Sequence, residues 1–392
     1  MLEWGYSKGV ISKMSIYLDH AATSPMHPEV IQAMTTAMKE LFGNPSSIHQ
    51  YGRAAHSELE RVRQLVADSL NAKSHEIIFT SGGTEGDNTA LLQVAQMYQA
   101  KGRHIITTAI EHPAVLETAR YLEGQGFEVT YLPVDRQGQL QVADLKAALR
   151  DDTILVSIMA ANNETGNVMP LAAIGALLKE HPALFHTDAV QAYGNLPLDV
   201  EALGIDLLSV SAHKINGPKG VGFLYKRDSV KFSPLFHGGE QEEKRRAGTE
   251  NLPGLIGLGA AVQVLPEKLA QADHYRLFQK NVLAQLDAAK ISYEVNGASA
   301  AERLPHVLNL RINGVNNQLL LMNLDLQGIA ISTGSACTAG TVDPSHVLTA
   351  MYGVDPAIQE SIRISFGLGN DTAEVAEFAE KLVQTIQTIQ KR

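Results

Sequence analysis

The side chain of this 392-residue chain with the most distinctive chemistry is Cys337, its only cysteine. It stands in Ser332-Thr-Gly-Ser-Ala-Cys-Thr-Ala-Gly-Thr341, a run of small and polar residues that is typical of a loop. A lone thiol cannot form a disulfide within the chain, and an unreactive cysteine usually lies in an apolar core. Two interpretations stay open: a chance residue, or a nucleophile on a loop that moves.

A glycine-rich turn supplies a second chemical feature. Ser81-Gly-Gly83-Thr84 follows an apolar run and opens a helical segment. Its backbone N–H groups and the helix dipole would therefore form an anion site. The turn lacks the lysine of an ATP-binding P-loop, which argues against ATP. A turn of this kind is just as compatible with a simple tight connection.

Polar residues also stand at the ends of four further predicted strands. They are His112, Asn163, Asp188 and the group Ser211, His213 and Lys214. Each alone has an ordinary explanation, such as a helix cap for Asn163 or a solvated position for Lys214. Ligands of open α/β sheets bind beyond the carboxyl ends of the strands, so together these residues predict one site.

The combined chemistry of this set is that required by pyridoxal phosphate. The Gly83-Thr84 turn would hold the phosphate, Asp188 would pair with a cationic ring nitrogen, and Lys214 would condense with a carbonyl. A Schiff-base lysine and an acid that keeps the ring an electron sink are what this cofactor needs from a protein. No metal site is predicted.

These residues are positioned by an alternation of apolar and amphipathic segments from about residue 52 to 227. The alternation predicts an α/β fold with a mostly parallel sheet flanked by helices. A polar stretch at 238–251, a long helical segment at 253–290 and a smaller α+β region follow. We predict a large cofactor-binding domain at 28–262 and a small domain formed by 14–27 and 263–392.

Composition limits the classes of partner. The formal net charge of −10 argues against nucleic-acid or membrane-surface binding, and no apolar stretch reaches membrane-spanning length. A single cysteine suits a reducing compartment, so a cytoplasmic protein is expected. Because Met14 directly precedes the regular pattern, residues 1–13 are interpreted as an upstream extension.

Several motifs resemble those of cysteine desulfurases of the NifS/IscS class, from about residue 16 to the C-terminus. They are Tyr17-Leu-Asp-His-Ala-Ala-Thr23, Phe42-Gly-Asn-Pro-Ser46, Phe79-Thr-Ser-Gly-Gly-Thr-Glu85, Asn162-Asn-Glu-Thr-Gly166, Ser211-Ala-His-Lys-Ile-Asn-Gly-Pro-Lys-Gly220, Arg246-Ala-Gly-Thr-Glu-Asn251 and Gly334-Ser-Ala-Cys337. The resemblance implies a class V aminotransferase-like, fold-type I pyridoxal-phosphate homodimer. Such enzymes take sulfur from L-cysteine, leave L-alanine and hold the sulfur as a persulfide.

The resemblance also implies roles for single residues. Lys214 would form the Schiff base and shuttle protons, and His112 would stack on the ring and act in acid–base steps. Asp188 would pair with the ring nitrogen and Gln191 with the phenolic oxygen. The phosphate would be held by Gly83, Thr84, Ser211, His213 and the partner subunit's Thr249.

At the substrate end, Asn163 and Arg363 would bind the carboxylate, for which a planar guanidinium is well suited. Cys337, on a mobile loop at about 332–344, would attack the sulfur of the cofactor-bound cysteine. A free thiol is only a few per cent thiolate at neutral pH, so His112 would help to remove its proton. An acceptor protein, in iron–sulfur assembly or tRNA thiolation, would then receive the sulfur.

One stretch departs from the family pattern, since Glu240 and Lys244 replace family glycines and predict an altered loop. Three alternative functions stay open at this point. The chain could be a selenocysteine lyase, a pyridoxal-phosphate aminotransferase or β-lyase with an incidental thiol, or a sulfur carrier that has lost the cofactor.

Overall fold

The computed structural model describes residues 15–333 and 344–391. The strands of this part of the chain are β1 (Ile16–Tyr17), β2 (Ile77–Thr80), β3 (His104–Thr108), β4 (Glu128–Leu132), β5 (Thr153–Ser157), β6 (Leu184–Asp188), β7 (Leu207–Ser211), β8 (Gly222–Lys226), β9 (Tyr293–Val295), β10 (Val307–Ile312), β11 (Ile329–Ala330) and β12 (Ser361–Ser365). The helices are α1 (Pro28–Glu40), α2 (Gln50–Asp68), α3 (Gly83–Tyr98), α4 (Pro113–Gly124), α5 (Val142–Ala148), α6 (Leu171–Leu178), α7 (Gln241–Lys244), α8 (Leu252–Gln263), α9 (Leu265–Leu269), α10 (Ala272–Ala288), α11 (Asn317–Asp325), α12 (His346–Tyr352), α13 (Ala357–Glu360) and α14 (Thr372–Gln390).

The predicted βα alternation forms the central sheet. Within the described residues its strand order is β2-β8-β7-β6-β5-β3-β4. Strand β8 runs antiparallel to both of its neighbours, and the other pairings are parallel. Strands β3, β5 and β7 are buried along their whole length because helices cover both faces of the sheet. The predicted α/β fold with a mostly parallel sheet is confirmed.

A second core lies outside this sheet. Strand β10 pairs antiparallel with β12 and β9, and β1 pairs parallel with β11. Apolar residues such as Leu18, Phe278 and Ile362 pack together there, beside helices α10 and α14. Val307 and Val347, although late in the sequence, pack into the core of the central sheet. The domain limits at 28–262, 14–27 and 263–392 stay a prediction.

The predicted helical segment at 253–290 is divided into α8, α9 and α10. Pro266 stands at the start of α9, directly after the end of α8. Proline has no N–H to donate and its ring clashes with the preceding turn, so one continuous helix cannot pass through this position. The break brings α9 against the segment that carries Lys214, because Lys268 Nζ donates to Lys214 O at 2.7 Å.

The loop predicted to depart from the family pattern contains a left-handed turn. Glu242, Glu243 and Lys244 have φ of 49°, 54° and 65°. Such a conformation costs a residue other than glycine about 1–2 kcal/mol. Lys244 thus adopts a backbone conformation that favours glycine, the residue that the family resemblance predicts at this position.

One buried ion pair holds this turn in place, and we call it the Glu242 anchor (Arg63, Phe79 and Glu242). Arg63 Nη1 and Nη2 donate to the Glu242 carboxylate at 2.6 and 2.9 Å, and Phe79 N donates to it at 3.0 Å. The guanidinium also lies over the Phe79 ring, 4.6 Å from its centroid. The bidentate pair therefore offsets the strain of the turn.

No helix in the described part of the chain combines the length and the apolar character needed to cross a bilayer.

Candidate active site

One cavity of about 650 Å³ collects the predicted residues at the carboxyl ends of the central strands. Its lining includes Gly83, Thr84, His112, Asn163, Asp188, Gln191, Ser211, His213, Lys214 and Arg363. Its volume is in the range of cofactor and small-molecule sites. The convergence follows from the parallel strands, whose carboxyl ends meet at one edge of the sheet.

The N-terminus of α3 forms one end of this cavity. Gly82, the residue before the helix, has φ of 150°, which favours glycine. A Cβ on Gly83 would come within 2.6 Å of Val190 Cγ2, so glycine is also required there by close packing. The first N–H groups of a helix have no partner within the helix and attract anions. This end of the cavity suits a phosphate.

Lys214 enters the cavity from a tight turn at 212–214 that follows β7. Its Nζ donates to Ala21 O and Ala22 O, each at 2.6 Å. These carbonyls belong to the segment after β1, which therefore fixes the position of the amine. Ser24 strengthens this contact, because its hydroxyl donates to His213 O at 2.7 Å.

His213 lies beside Lys214, and its Nδ1 is 3.1 Å from Thr23 Oγ1 in a hydrogen bond. Burial, together with the neighbouring Lys214 and Lys219, lowers the pKa of His213 to about 4. The imidazole is therefore neutral at physiological pH and can donate one N–H to an anion.

Asp188 ends β6 and is 5% exposed. Its Oδ1 accepts from Val190 N at 2.9 Å. Burial raises the pKa of Asp188, although nearby His112 and Lys214 oppose that effect. In the described chain no lysine or arginine forms an ion pair with it, and a carboxylate this buried requires a cationic partner. A protonated ring nitrogen would meet that requirement.

His112 caps the N-terminus of α4 with its side chain. Its Nδ1 accepts from Ala114 N at 3.1 Å, which leaves the ring proton of the neutral form on Nε2. Burial lowers the pKa of His112, so the neutral form predominates. Gln191 is fixed in a similar way, because its Nε2 donates to Ala21 O at 3.0 Å.

Arg363 on β12 marks the other end of the cavity and is 2% exposed. Its Nη1 donates to Asn163 O at 2.8 Å and its Nη2 to Asp19 Oδ1 at 2.9 Å, whereas Nε has no hydrogen-bond partner among the described residues. The guanidinium is thus held in one orientation beside Asn163, as the recognition of a carboxylate requires.

Two predicted residues are not brought into this cavity. Cys337 lies outside the described residues. Thr249 is exposed and lines a neighbouring cavity of about 210 Å³ that includes Ser81. Because its predicted role is across a subunit interface, that role stays a prediction.

The described ends of the predicted cysteine loop lie at the substrate end of the cavity. Ser332 and Arg363 exchange backbone hydrogen bonds of 3.1 and 2.6 Å. At the far end, Ser345 Oγ donates to Glu164 Oε2 at 2.5 Å. Glu164 directly follows Asn163 in the sequence. Both ends of the segment that contains Cys337 are therefore anchored next to the two residues predicted to bind the substrate.

Sequence reasoning missed Asp19 and two buried acids, Asp87 and Glu111. Asp87 lines the cavity, is 1% exposed, and its pKa is raised well above normal by burial and by Asp188. Burial likewise raises the pKa of Glu111 to about 8. The sequence did contain an indication that Asp87 is buried. It lies one turn after Gly83 and one turn before Leu91, on the apolar stripe of α3.

Comparison with known proteins agrees with this geometry. Residues 16–378 match the family described as aminotransferase class V. A relative from Dictyoglomus turgidum, named cysteine desulfurase IscS, is 45% identical, and the alignment covers 96% of each chain. The solved structure of a NifS-like protein superposes with a TM-score of 0.89 at 37% identity and covers 96% of this chain and 100% of its own. A structure described as SspA in complex with cysteine has a TM-score of 0.80 at 36% identity, covering 90% and 99%.

Proposed function

This chain belongs to the class-V aminotransferase family, and from that premise we propose that it is a pyridoxal-phosphate-dependent cysteine desulfurase. It converts L-cysteine to L-alanine and keeps the sulfur as a persulfide on Cys337. The observation that carries the proposal is that one cavity contains Lys214, Asp188 and the N-terminus of α3. Arg363 lines the same cavity and is hydrogen-bonded to Ser332, at the start of the segment that contains Cys337.

The residues present fit pyridoxal phosphate. The start of α3, with Thr84, Ser211 and His213, would hold the phosphate, and Gln191 would hydrogen-bond the phenolic oxygen. Asp188 gains the cation that its buried carboxylate lacks. When bound, the cofactor supplies an electron sink for the carbon skeleton of the substrate.

Lys214 and His112 would transfer protons during the reaction. The Lys214 amine would hold the cofactor covalently and would move protons at the substrate Cα and Cβ atoms. The neutral His112, with its proton on Nε2, would stack on the cofactor ring, give this proton to the carbon skeleton of the substrate and then accept the thiol proton of Cys337 at the same nitrogen. Burial lowers the pKa of His112, so the imidazole is uncharged before these proton transfers.

Sulfur transfer is a displacement at the substrate sulfur. Arg363 and Asn163 hold the substrate carboxylate, and the Cys337 thiolate attacks the sulfur. An S–S bond forms, the substrate Cβ–S bond breaks, and its electron pair passes to the carbon skeleton, which is protonated to alanine. The two sulfurs are oxidised to the persulfide level while the carbon is reduced, so no external oxidant is needed.

Homodimer formation and transfer to an acceptor protein belong to the same proposal. Phe42 and Ile48, on the connection from α1 to α2, are 73% and 91% exposed, with Met38 and Tyr51 exposed nearby. A cluster of large apolar side chains on a surface is typical of a protein interface. Within the dimer, the partner subunit's Thr249 completes the phosphate site, and the persulfide sulfur passes to an iron–sulfur scaffold or tRNA-thiolation protein.

The test is Cys337→Ala in the cofactor-loaded protein. Alanine release and persulfide formation from L-cysteine are expected to disappear, while the visible absorption of the cofactor stays. Retained turnover with cysteine would instead indicate a β-lyase or aminotransferase with an incidental thiol. A wild-type enzyme that releases alanine from selenocysteine but not from cysteine would be a selenocysteine lyase and would overturn the proposal.

A further inference from the structure

A second cavity, of about 250 Å³, lies behind the turn that carries Lys214. It is lined by Asn216, two residues after Lys214, by Lys268, Gln271 and Tyr275, and by the backbone at 367–370. None of its lining residues belongs to the cavity that contains Asp188. The two cavities are therefore distinct.

Lys268 places a positive charge in this second cavity. Its Nζ donates to Lys214 O at 2.7 Å, and among the described residues no carboxylate forms an ion pair with it. An ammonium group has three N–H donors, so this contact uses one of them. Burial, with a further effect of Lys214, lowers the pKa of Lys268 to about 7. Lys268 is partly buried, and a partly desolvated charge without a counter-ion is stabilised by a bound anion.

Tyr275 supplies a second donor. Its side chain is 6% exposed, and its hydroxyl makes no hydrogen bond to any residue of the described chain. Burial raises the pKa of this phenol to about 12, so the hydroxyl stays protonated and can donate. The carboxylate of Glu267 also lines the cavity, but this residue is exposed to solvent.

We propose that this second cavity binds a small oxyanion, a carboxylate or a phosphate, between the Lys268 ammonium and the Tyr275 hydroxyl. The volume suits an anion of a few heavy atoms. The Lys268 ammonium would then bridge the anion and the backbone carbonyl of Lys214, with a hydrogen bond to each.

The test is calorimetric titration of the cofactor-loaded protein, in which the cofactor's own phosphate site is filled. Sodium phosphate and sodium acetate are titrated separately. We expect saturable binding with a dissociation constant of about 1 mM for at least one of them. Binding of acetate alone identifies a carboxylate site, and binding of phosphate alone identifies a phosphate site.

Three variants locate the bound anion. Lys268→Met is expected to weaken binding by about tenfold or more, because a charge-assisted hydrogen bond is lost. Lys268→Arg should restore most of it, which controls for a folding defect in the methionine variant. Lys280→Met, an exposed lysine on α10, should bind as the wild type does.

Acetate binding should also weaken from about pH 6 to about pH 8.5, because the Lys268 ammonium loses its proton in this range. The titratable groups near it besides Lys214 and Glu267 are His27, which lines the same cavity, and His20 and His306, which interact electrostatically with Lys268. Burial lowers the pKa of His20 to about 4 and that of His306 well below normal, so both imidazoles stay neutral throughout.

Two results would overturn the proposal. The first is the absence of saturable binding for both anions. The second is binding that survives in Lys268→Met but is lost in Arg363→Ala, since that would place the anion in the substrate end of the larger cavity.

Discussion

The Lys214 cavity and the Glu242 anchor both bury charged side chains, but they satisfy those charges differently. In the anchor, the Glu242 carboxylate accepts three hydrogen bonds from Arg63 and Phe79. In the cavity, the Asp188 carboxylate accepts one backbone N–H and forms no ion pair with a lysine or arginine of the described residues. Complete pairing is typical of a structural charge, whereas incomplete pairing of buried charges marks a place where a ligand completes the set. Four predictions test this contrast.

The largest effect is expected for Lys214→Ala. Because the amine is the covalent attachment point and the proton carrier, turnover of L-cysteine should fall by about 10⁴-fold. Borohydride reduction followed by mass spectrometry should fix the cofactor to the wild type and to Lys280→Ala, but not to Lys214→Ala. Covalent labelling of another lysine in Lys214→Ala would contradict the assignment.

Glu242→Ala should act on stability. Without Glu242, the buried Arg63 guanidinium retains only the more exposed Glu60 as a counter-ion, so the free energy of unfolding should fall by up to about 3–5 kcal/mol. Denaturant unfolding measures this change. Glu240→Ala, in the same loop but exposed, is the matched control and should differ from the wild type by less than about 1 kcal/mol. Equal stabilities of the two variants would remove the distinction between anchor and surface.

Asp188→Asn should show the opposite behaviour. We expect cofactor affinity to fall by about 100-fold, because the cationic ring loses its counter-charge. The cofactor-free protein should be no less stable than the wild type, since a costly buried carboxylate has been removed. Absorbance titration measures the cofactor affinity, and thermal unfolding measures the stability of the cofactor-free protein. The exposed Asp273→Asn is the control for both. A loss of stability equal to that of Glu242→Ala would show that Asp188 is a structural charge.

Glu111→Gln should produce the smallest change, and it depends on pH. Because the pKa of Glu111 is raised from 4.5 to about 8 in the folded protein, the folded state binds more protons than the unfolded state between these values. Wild-type stability should therefore fall as pH rises through this range. The glutamine variant should match the wild type near pH 5 and exceed it above pH 8, by on the order of 2 kcal/mol.

Thermal unfolding across that pH range is the measurement. Glu380→Gln, an exposed glutamate of α14, should follow the wild type at every pH. A parallel pH dependence of wild type and Glu111→Gln would show that Glu111 is ionised in the folded state.

The strand-end residues were predictable because their placement is a local property. Lys214, Asp188 and His112 each follow an apolar run that forms a buried strand, and parallel strands bring their carboxyl ends together. The glycine-rich start of α3 was predictable for the same reason. The roles of Arg363, Gln191 and Thr249 came only from the family resemblance, since nothing in their local sequence indicates a ligand.

Thus the chain's own sequence determined the sheet, the residues at its carboxyl edge and the family to which it belongs. Tertiary structure alone decided which distant side chains meet there. Arg363 is held by Asp19, 344 residues away, and Lys268 reaches Lys214 because Pro266 divides the helical segment. Local patterns encode the strands and helices, but the burial and pairing of a charge depend on how these elements pack against one another.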